Sequence, residues 1–409
     1  MIPFTILCYL LQRSAAAILD KHRPTVVGVS GSVGKTSAKD AVACVLGQWR
    51  PTICSPENQN DELGVPLSVI GARPGVNALG WLTALRRGRR LASLPRGSYP
   101  QCLVLEFGSC HVGDVEALMT LTSPEVGVLT GIEATHLASY GSLDAIEREE
   151  GKVVTMLPSA GVGVVNLDNA GAARAAERAS CRIVTYGFDA AAEVRGTAAV
   201  STIDWDRLTS RVTLDVRSSG TSASLTIEGT VGAHSCYAPL AALAVARAVG
   251  IPLPEASRAL RAYVPPRGRM RCAPGLGGSM IVDDSYNSSP VAARKALDTL
   301  ATLPRLAGAK RIAVLGPMAE LGAASEREHA DIGHHAARLG IDRVFTVGDA
   351  AKATARAARD AGVPEAHARS FTTVEQAIDA LRDCTRAGDV VLVKGSQAAR
   401  MDRIVPALV

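Results

Sequence analysis

Short runs of apolar, often β-branched residues alternate with segments of helical spacing along most of the chain. In the first half these runs are Thr25–Ser30, Cys102–Leu105, Glu125–Thr130, Gly161–Asn166 and Arg182–Tyr186. Continuous apolar runs of this length are typical of strands buried on both faces of a parallel sheet. Helical spacing follows the first run, from about Lys35 to Leu46. The pattern therefore predicts an α/β domain built on a mostly parallel sheet.

The pattern changes between Glu193 and Gly229, where short alternating runs are separated by turns rich in Ser and Gly. This indicates an antiparallel appendage to the same domain. After helical spacing at Tyr237–Val249, we interpret prolines at 252, 254, 265 and 266 as a linker. Strand and helix then alternate again in the ranges 280–283, 291–303, 311–315, 326–339, 343–347 and 390–393. We expect a second, smaller, Rossmann-like α/β domain there.

The first nineteen residues are apolar but are interrupted by Arg13 and are too short for a full transmembrane span. They also lack the basic start of a signal peptide. We expect an amphipathic helix packed on the domain that follows, with a role at a membrane surface as the alternative. The predicted organisation is an N-terminal helix over 1–24, a central domain over 25–266 and a C-terminal domain over 267–409.

The composition fits a globular protein with more than one core. The 409 residues are 47% hydrophobic and 20% charged, which argues against disorder. Nine cysteines without a CxxC pair predict reduced thiols in a cytoplasmic protein and no zinc site. The net charge of +5 comes from basic residues that look scattered, so we expect no nucleic-acid partner, although a mildly positive protein suits an anionic nucleotide.

The strongest chemical signal is the sequence SGSVGKTS at residues 30–37, between a predicted strand and a predicted helix. Glycines let backbone N–H groups turn toward phosphate oxygens, a lysine neutralises the outer phosphates, and a threonine hydroxyl can bind magnesium. The predicted nucleotide-binding residues of this loop are Gly31, Ser32, Val33, Gly34, Lys35, Thr36 and Ser37. The strict GxxxxGK[ST] pattern is not met, because its first glycine would fall on Val29. The alternative is a Gly-Ser turn in front of a helix.

Further segments, in order along the chain, resemble those of the Mur ligases, and in particular the type that adds D-alanyl-D-alanine to the peptidoglycan precursor. They lie at 55–67, 103–108, 130–137, 166–169, 232–234, 268–270, 283–290, 315–322 and 393–396. Each segment is modest alone, but the ordered set is specific and covers nearly the whole chain from residue 25 on. The resemblance implies that the chain uses ATP and Mg²⁺.

The resemblance also implies metal ligands. Glu106, at the end of a predicted strand, would bind magnesium beside Thr36, whereas outside this context it would be an ordinary surface glutamate. His136 is similar to the histidine that helps to hold a second magnesium, although a lone histidine is more often a packed residue. Relatives complete that second site with a carbamylated lysine, and Glu150 stands at its position. We expect Glu150 to supply the carboxylate directly, with Lys152 or an ordinary exposed helix face as the alternatives.

In the second domain, Arg269 resembles an arginine that reaches the γ-phosphate when the domains close. Asp284 and Asn287 resemble residues that contact the nucleotide, and Asp284 could also cap a helix. The chain departs from the family pattern at several positions: Ala238 stands for an asparagine near the adenine, Pro317 for an aspartate, and Ser289 for a second asparagine. Relatives also carry an N-terminal domain that grips uridine diphosphate, whereas here the phosphate loop follows only one helix.

The resemblance implies an ATP-dependent ligase that joins a carboxylate to an amine through an acyl phosphate, with Lys35, His136, Glu150 and Arg269 as the catalytic residues. Three hypotheses follow: a peptidoglycan ligase without the usual uridine-binding domain, a ligase of the same fold that uses another acid, such as a folate-like, cofactor or natural-product amide ligase, and a non-catalytic nucleotide-binding protein. We expect small-molecule acid and amine substrates, no membrane insertion, a cytoplasmic location, and a monomer or weak homodimer.

Overall fold

A computed structural model describes residues 4–57, 59–75, 77–134 and 137–409. The chain forms two compact units. Unit 1 comprises Met1–Thr197, Asp215–Leu225 and Tyr237–Tyr263, and unit 2 comprises Ala198–Leu214, Thr226–Cys236 and Val264–Val409. None of the helices in the described ranges combines the length and the apolar character that a membrane crossing requires.

Six parallel strands form the first part of a nine-stranded sheet, in the spatial order β2-β3-β1-β4-β5-β6. They are β1 (Thr25–Ser30), β2 (Thr52–Cys54), β3 (Cys102–Glu106), β4 (Val126–Leu129), β5 (Val162–Asn166) and β6 (Arg182–Gly187). Every residue of β3 and β4 is buried, because helices cover both faces of the sheet. The predicted mostly parallel α/β sheet is confirmed. The carboxyl ends of β1, β3 and β4 meet at one edge of the sheet, where loops can form a site.

Unit 1 contains ten α-helices among the described residues, most of which connect these strands. They are α1 (Phe4–His22), α2 (Lys35–Gly47), α3 (Gly64–Ile70), α4 (Ala78–Ser93), α5 (Asp114–Thr122), α6 (Leu137–Tyr140), α7 (Leu143–Thr155), α8 (Ala170–Glu177), α9 (Tyr237–Ala248) and α10 (Leu253–Ala259). Helix α1 buries one stripe of side chains, formed by Leu7, Cys8, Leu11, Ala15 and Ile18. This amphipathic helix packs against α3 and α4 of the same unit.

Three further strands follow β6, namely β7 (Val194–Asp204), β8 (Thr209–Ser218) and β9 (Thr221–Glu228). The connections from β7 to β8 and from β8 to β9 are too short for parallel neighbours, so these strands form antiparallel hairpins. Alternating burial along β8 agrees with the alternating sequence. The antiparallel appendage was therefore predicted correctly. Parts of these strands are assigned to each of the two units.

Unit 2 contains a six-stranded sheet in the order β10-β11-β15-β12-β13-β14. Its strands are β10 (Arg271–Gly275), β11 (Ser279–Asp284), β12 (Arg311–Leu315), β13 (Arg343–Val347), β14 (Ala368–Phe371) and β15 (Val390–Lys394). Its helices are α11 (Pro290–Thr302), α12 (Ser325–Arg338), α13 (Lys352–Asp360), α14 (Val374–Cys384) and α15 (Ile404–Leu408). Strands β11 to β15 pair in parallel, as expected for a Rossmann-like unit. Strand β10, which the sequence did not predict, pairs antiparallel with β11 at the edge.

One part of the sequence interpretation is wrong. Residues Pro252 and Pro254 do not mark a linker, because they stand at the start of helix α10, with Pro252 as its N-cap. Proline is tolerated in the first turn of a helix, where its missing N–H would have no intrahelical acceptor. Proline clusters therefore mark either a chain boundary or a helix start, and sequence alone does not separate the two.

Candidate nucleotide and metal site

The loop between β1 and α2 forms an open cradle. Gly31 has a φ of +133°, and a Cβ there would lie 2.3 Å from Oγ1 of Thr130, so no larger residue fits. Gly34, with a φ of +82°, is the N-cap of α2, and no described side chain caps this helix. The first N–H groups of a helix lack intrahelical acceptors and carry a partial positive charge. The cradle therefore presents backbone donors to an anion such as a phosphate.

The residues that directly follow strand β4 hold this loop in place. Oγ1 of Thr130 donates to the carbonyls of Ser30, at 3.1 Å, and Val33, at 2.6 Å. The N–H of Ser32 donates to the carbonyl of Gly131 at 2.7 Å. Thr130 was part of a motif in the sequence, but no role was assigned to it. Its contacts fix the loop geometry before any ligand binds.

Lys35 begins helix α2 and folds back over the loop, so that Nζ donates to the carbonyl of Gly31. Thr36 and Ser37 follow in the first helical turn, and all three residues are half-buried. The carbonyl of Ser37 accepts a hydrogen bond from the Tyr263 hydroxyl at 3.4 Å. The ammonium group and the Thr36 hydroxyl thus belong to the same helix start as the backbone donors.

Glu150, on helix α7, reaches the same loop. Its side chain is 2% exposed, and Oε2 accepts a hydrogen bond of 3.0 Å from the Ser32 hydroxyl. Burial raises the pKa of Glu150 to about 7, although the charge of Lys35 acts in the opposite direction. A nearby cation would lower this raised pKa, because a positive charge favours the ionised form of the carboxyl group.

Lys152, the alternative to Glu150, is engaged elsewhere. Its Nζ donates to Oε2 of Glu149 at 2.8 Å and to Oε2 of Glu116 at 2.9 Å. Glu149 is itself 1% exposed and accepts from the N–H of Val115. This part of α7 is therefore not an ordinary exposed helix face, and that alternative is wrong.

Glu106 ends strand β3 and is 2% exposed, so the surface-glutamate alternative is also wrong. Its Oε1 accepts from Asn60 Nδ2 at 2.9 Å. Its buried Oε2 has no hydrogen-bond partner among the described residues. A buried carboxylate oxygen without a donor is costly unless a cation binds it, so Glu106 fits a magnesium ligand.

The described residues contain no group of three or more His, Cys, Asp or Glu side chains placed to hold a metal ion. Mg²⁺ is commonly bound by one or two carboxylates, water and substrate phosphates instead of an all-protein cage. His136, the predicted second metal ligand, lies outside the described residues.

Lys39 is a buried residue of the candidate site that the sequence analysis missed. It lies one turn after Lys35 on α2, is 1% exposed, and donates to the carbonyls of Ser55, at 2.7 Å, and Glu57, at 2.9 Å. Its Nζ is 4.0 Å from Oε2 of Glu106. A lysine within the buried face of an otherwise small and apolar helix was the available signal. Lys39 connects the helix of the phosphate loop to the segment that supports Glu106.

The predicted residues of unit 2 form a separate cluster. Lys394 Nζ lies 2.6 Å from Oδ2 of Asp284 and donates to the carbonyl of Asn287 at 3.0 Å. The guanidinium of Arg269 lies 4.1 Å above the Tyr286 ring centroid, a cation–π distance. These contacts order the carboxyl end of β11.

Three further positions named in the sequence predictions lie in α9 and in unit 2. Asp284 is not a helix cap, since Ser289 fills that role for α11 by accepting from the N–H of Ala292. Ala238 is buried in α9 and offers no polar side chain to a base. The carbonyl of Pro317 accepts from the N–H of Ser396 at 3.0 Å, which joins the loops after β12 and β15. The structure thus brings Ser32, Lys35 and Glu150 together in unit 1, and Asp284 and Asn287 together in unit 2.

Comparison with known proteins covers both units. The Mur ligase middle domain matches residues 29–246, and the Mur ligase glutamate ligase domain matches residues 268–397. A UDP-N-acetylmuramoyl-tripeptide–D-alanyl-D-alanine ligase of Mycobacterium bovis is 32% identical over 98% of this chain and 76% of its own length. The protein of the same name in Escherichia coli is 29% identical, over 96% of this chain and 79% of its own.

Solved structures of Mur ligases have the same fold as this chain. MurF from Acinetobacter baumannii superposes with a TM-score of 0.79 at 23% identity, over 97% of this chain and 79% of that one. MurF from Thermotoga maritima, in complex with ADP, also gives 0.79, at 22% identity, over 98% of this chain and 83% of that one. Since the family matches and the curated relatives extend along almost the whole chain, this protein belongs to the Mur ligase family and is an ATP-dependent ligase that forms peptide bonds.

Proposed function

We propose that this ligase joins the carboxylate of a UDP-N-acetylmuramoyl tripeptide to the amine of D-alanyl-D-alanine, in the synthesis of peptidoglycan precursors. The observation that carries this proposal is the similarity to ligases of that name over 98% of the chain, at 32% identity in the Mycobacterium bovis protein. The phosphate cradle and the buried carboxylates support the ATP-dependent half of the reaction. The relatives' names support this choice of acid and amine.

Magnesium is the metal that these side chains would suit. Glu106 and Thr36 would hold one ion, and Glu150 with His136 would hold a second. Bound there, Mg²⁺ would neutralise charge on the terminal phosphates of ATP. The free Oε2 of Glu106 and the burial of Glu150 support these assignments. Because Glu150 already carries a carboxylate, the second site needs no carbamylated lysine.

Different residues of this chain have different roles in phosphoryl transfer. Backbone N–H groups of the loop from Gly31 to Gly34 and the ammonium of Lys35 hold the phosphates, and Arg269 adds positive charge to the transferring group. Asp284 and Asn287 contact the rest of the nucleotide. The substrate carboxylate attacks the γ-phosphorus, ADP leaves, and the amine displaces phosphate from the acyl carbon to form the amide.

The proposal also covers the cellular location and the oligomeric state of the ligase. We expect the ligase to work in the cytoplasm, where its nine thiols stay reduced, as a monomer or weak homodimer. The binding of small-molecule substrates requires no partner macromolecule.

The test is ADP release with the purified chain over a matrix of acids and amines, with the mass of each product recorded. UDP-N-acetylmuramoyl tripeptide with D-alanyl-D-alanine should give the highest rate and one product, one water lighter than the sum of its substrates. Turnover with a different acid alone would assign the chain to another ligase of this fold. Background release with every pair, despite binding of ATP with Mg²⁺, would mean a non-catalytic nucleotide-binding protein.

A further inference from the structure

Two helices of unit 1 carry a surface to which the proposed reaction assigns no role. We propose that the outer faces of α1 and α4 dock on a membrane surface that contains anionic lipids, without crossing it. This α1–α4 surface consists of the exposed residues Phe4, Ile6, Tyr9, Arg13, Leu79, Leu82, Arg86, Arg89 and Arg90.

The two helices run side by side in the same direction. A Cβ on Gly88 of α4 would lie 2.9 Å from the Cβ of Ser14 on α1, so the helices touch there. Further along, Arg96 Nε donates to the carbonyl of Lys21 at 3.1 Å. Because both helices rise about 1.5 Å per residue, the residues nine positions before Gly88 and before Ser14 lie at about the same level. Leu79 is therefore level with Thr5, among the exposed residues at the start of α1.

This end of the helix pair exposes large apolar side chains to solvent. Phe4 is 60% exposed, Ile6 50%, Tyr9 56%, Leu79 67% and Leu82 41%. Of the fifteen large apolar side chains with high exposure in the described part of the chain, these two helices hold five. Single exposed apolar residues are normal, but a group of them at one place marks an interaction surface.

Arginines lie beside the apolar group. The segment from Gly71 to Gln101 contains six arginines and no acidic residue, so the expectation of scattered basic residues is wrong here. On α4, Arg86, Arg89 and Arg90 are exposed and form no ion pair with a described carboxylate. Arg87 is also exposed, but its Nε donates to the carbonyl of Ile70 at 2.8 Å. The guanidinium groups of Arg86, Arg89 and Arg90 can therefore pair with negative groups outside the protein.

A lipid surface accounts for both the exposed apolar side chains and the adjacent arginines. Apolar side chains gain by entering the boundary between headgroups and acyl chains, while adjacent arginines pair with anionic headgroups. A nucleic-acid partner would account for the arginines alone, since its phosphates offer nothing to Leu79, Leu82 or Ile6. A second protein copy would place the unpaired arginines of two α4 helices near one another, which is unfavourable.

Flotation with lipid vesicles tests the proposal. The full chain should bind vesicles of phosphatidylcholine with 30% phosphatidylglycerol at low salt, and bind pure phosphatidylcholine far more weakly. The triple variant Arg86→Gln, Arg89→Gln, Arg90→Gln should lose binding on the order of a hundredfold, because each basic residue near such a surface contributes a factor of about five. The variant Leu79→Ser, Leu82→Ser should lose binding about tenfold or more at every salt concentration.

A matched control removes the same charge elsewhere. The variant Arg207→Gln, Arg327→Gln, Arg382→Gln changes three exposed arginines outside the two helices and should bind the mixed vesicles like the unchanged chain. All variants should keep ADP release without vesicles. The proposal is overturned if the unchanged chain does not float, if control and test variants lose binding equally, or if sedimentation shows that Leu79→Ser, Leu82→Ser only dissolves a dimer.

Discussion

The Ser32 hydroxyl donates a 3.0 Å hydrogen bond to Oε2 of Glu150, although 118 positions separate the two residues along the chain. The bond joins the phosphate loop to helix α7 and fixes the carboxylate beside the loop. The position of Glu150 is thus set by the protein before a cation or a nucleotide arrives.

Glu150→Gln should lower the rate of ADP release with substrates about 100- to 1,000-fold, because the amide keeps the shape and the bond to Ser32 but cannot carry the charge. Added bicarbonate should not restore the rate, since no lysine carbamate is involved. Lys152→Gln serves as the control and should change the rate by only a few fold. Rescue by bicarbonate, or a larger loss in the control, would show that Lys152 is the metal-site residue.

Lys35→Ala should reduce ADP release at least about 1,000-fold, which corresponds to about 4 kcal/mol of lost transition-state stabilisation. Lys352→Ala removes a half-exposed lysine on α13 and should leave the rate unchanged. Circular dichroism should show both variants folded, because the Lys35 side chain is only half-buried. Normal turnover by Lys35→Ala would mean that the nucleotide binds elsewhere.

The pair formed by Asp284 and Lys394 is almost fully buried, with side chains 13% and 3% exposed. Lys394→Met leaves a buried carboxylate without its counter-ion, and should lower the free energy of unfolding by about 3–5 kcal/mol. The double variant Lys394→Met, Asp284→Asn should lose less than the sum of the two single variants. Urea denaturation of all three measures the coupling, and additive losses would show that the two side chains do not interact.

Glu147 should make stability depend on pH. Burial raises its pKa, but hydrogen bonds from Arg174 and Arg178 outweigh this and hold the pKa below its usual range. Protons therefore bind the unfolded chain more readily than the folded one, so the contribution is complete above the unfolded pKa of about 4.3 and disappears as pH falls through the lower folded pKa.

Glu147→Gln should accordingly cost about 1–2 kcal/mol at pH 7, since the two arginines are half-exposed and their attraction is screened. The difference from the unchanged chain should shrink below about pH 4. Urea denaturation between pH 3 and pH 7 provides the measurement. Glu375→Gln, which removes an exposed ion pair with Arg403, should show a smaller difference. A constant difference across the range would exclude the ionic contribution of Glu147.

The parallel sheets and the phosphate loop could be predicted because their signals are local. A run such as Thr25–Ser30 is apolar throughout because both faces are covered, and glycines 31 and 34 are needed for positive φ angles directly after it. Strand β10 and helix α10 were not predicted. An edge strand, and a short helix that begins with proline, are stabilised by tertiary contacts that cannot be read from the local sequence.

The site was less predictable for the same reason. Glu149 and Glu150 look alike in sequence, but neighbouring positions on a helix face different directions, so one pairs with Lys152 and the other reaches Ser32. The burial of Glu106 could not be seen from its place at a strand end. Lys39 was overlooked because its partners are backbone carbonyls of a loop sixteen to eighteen residues away.

The short distance between Lys39 and Glu106 bears on the order in which ligands enter. A carboxylate that already faces an ammonium group, 4.0 Å away, attracts a free divalent cation weakly. Phosphate oxygens delivered by a nucleotide supply the negative charge that is otherwise missing. We therefore expect the metal to arrive together with ATP as a preformed complex, so that the empty enzyme does not store magnesium between turnovers.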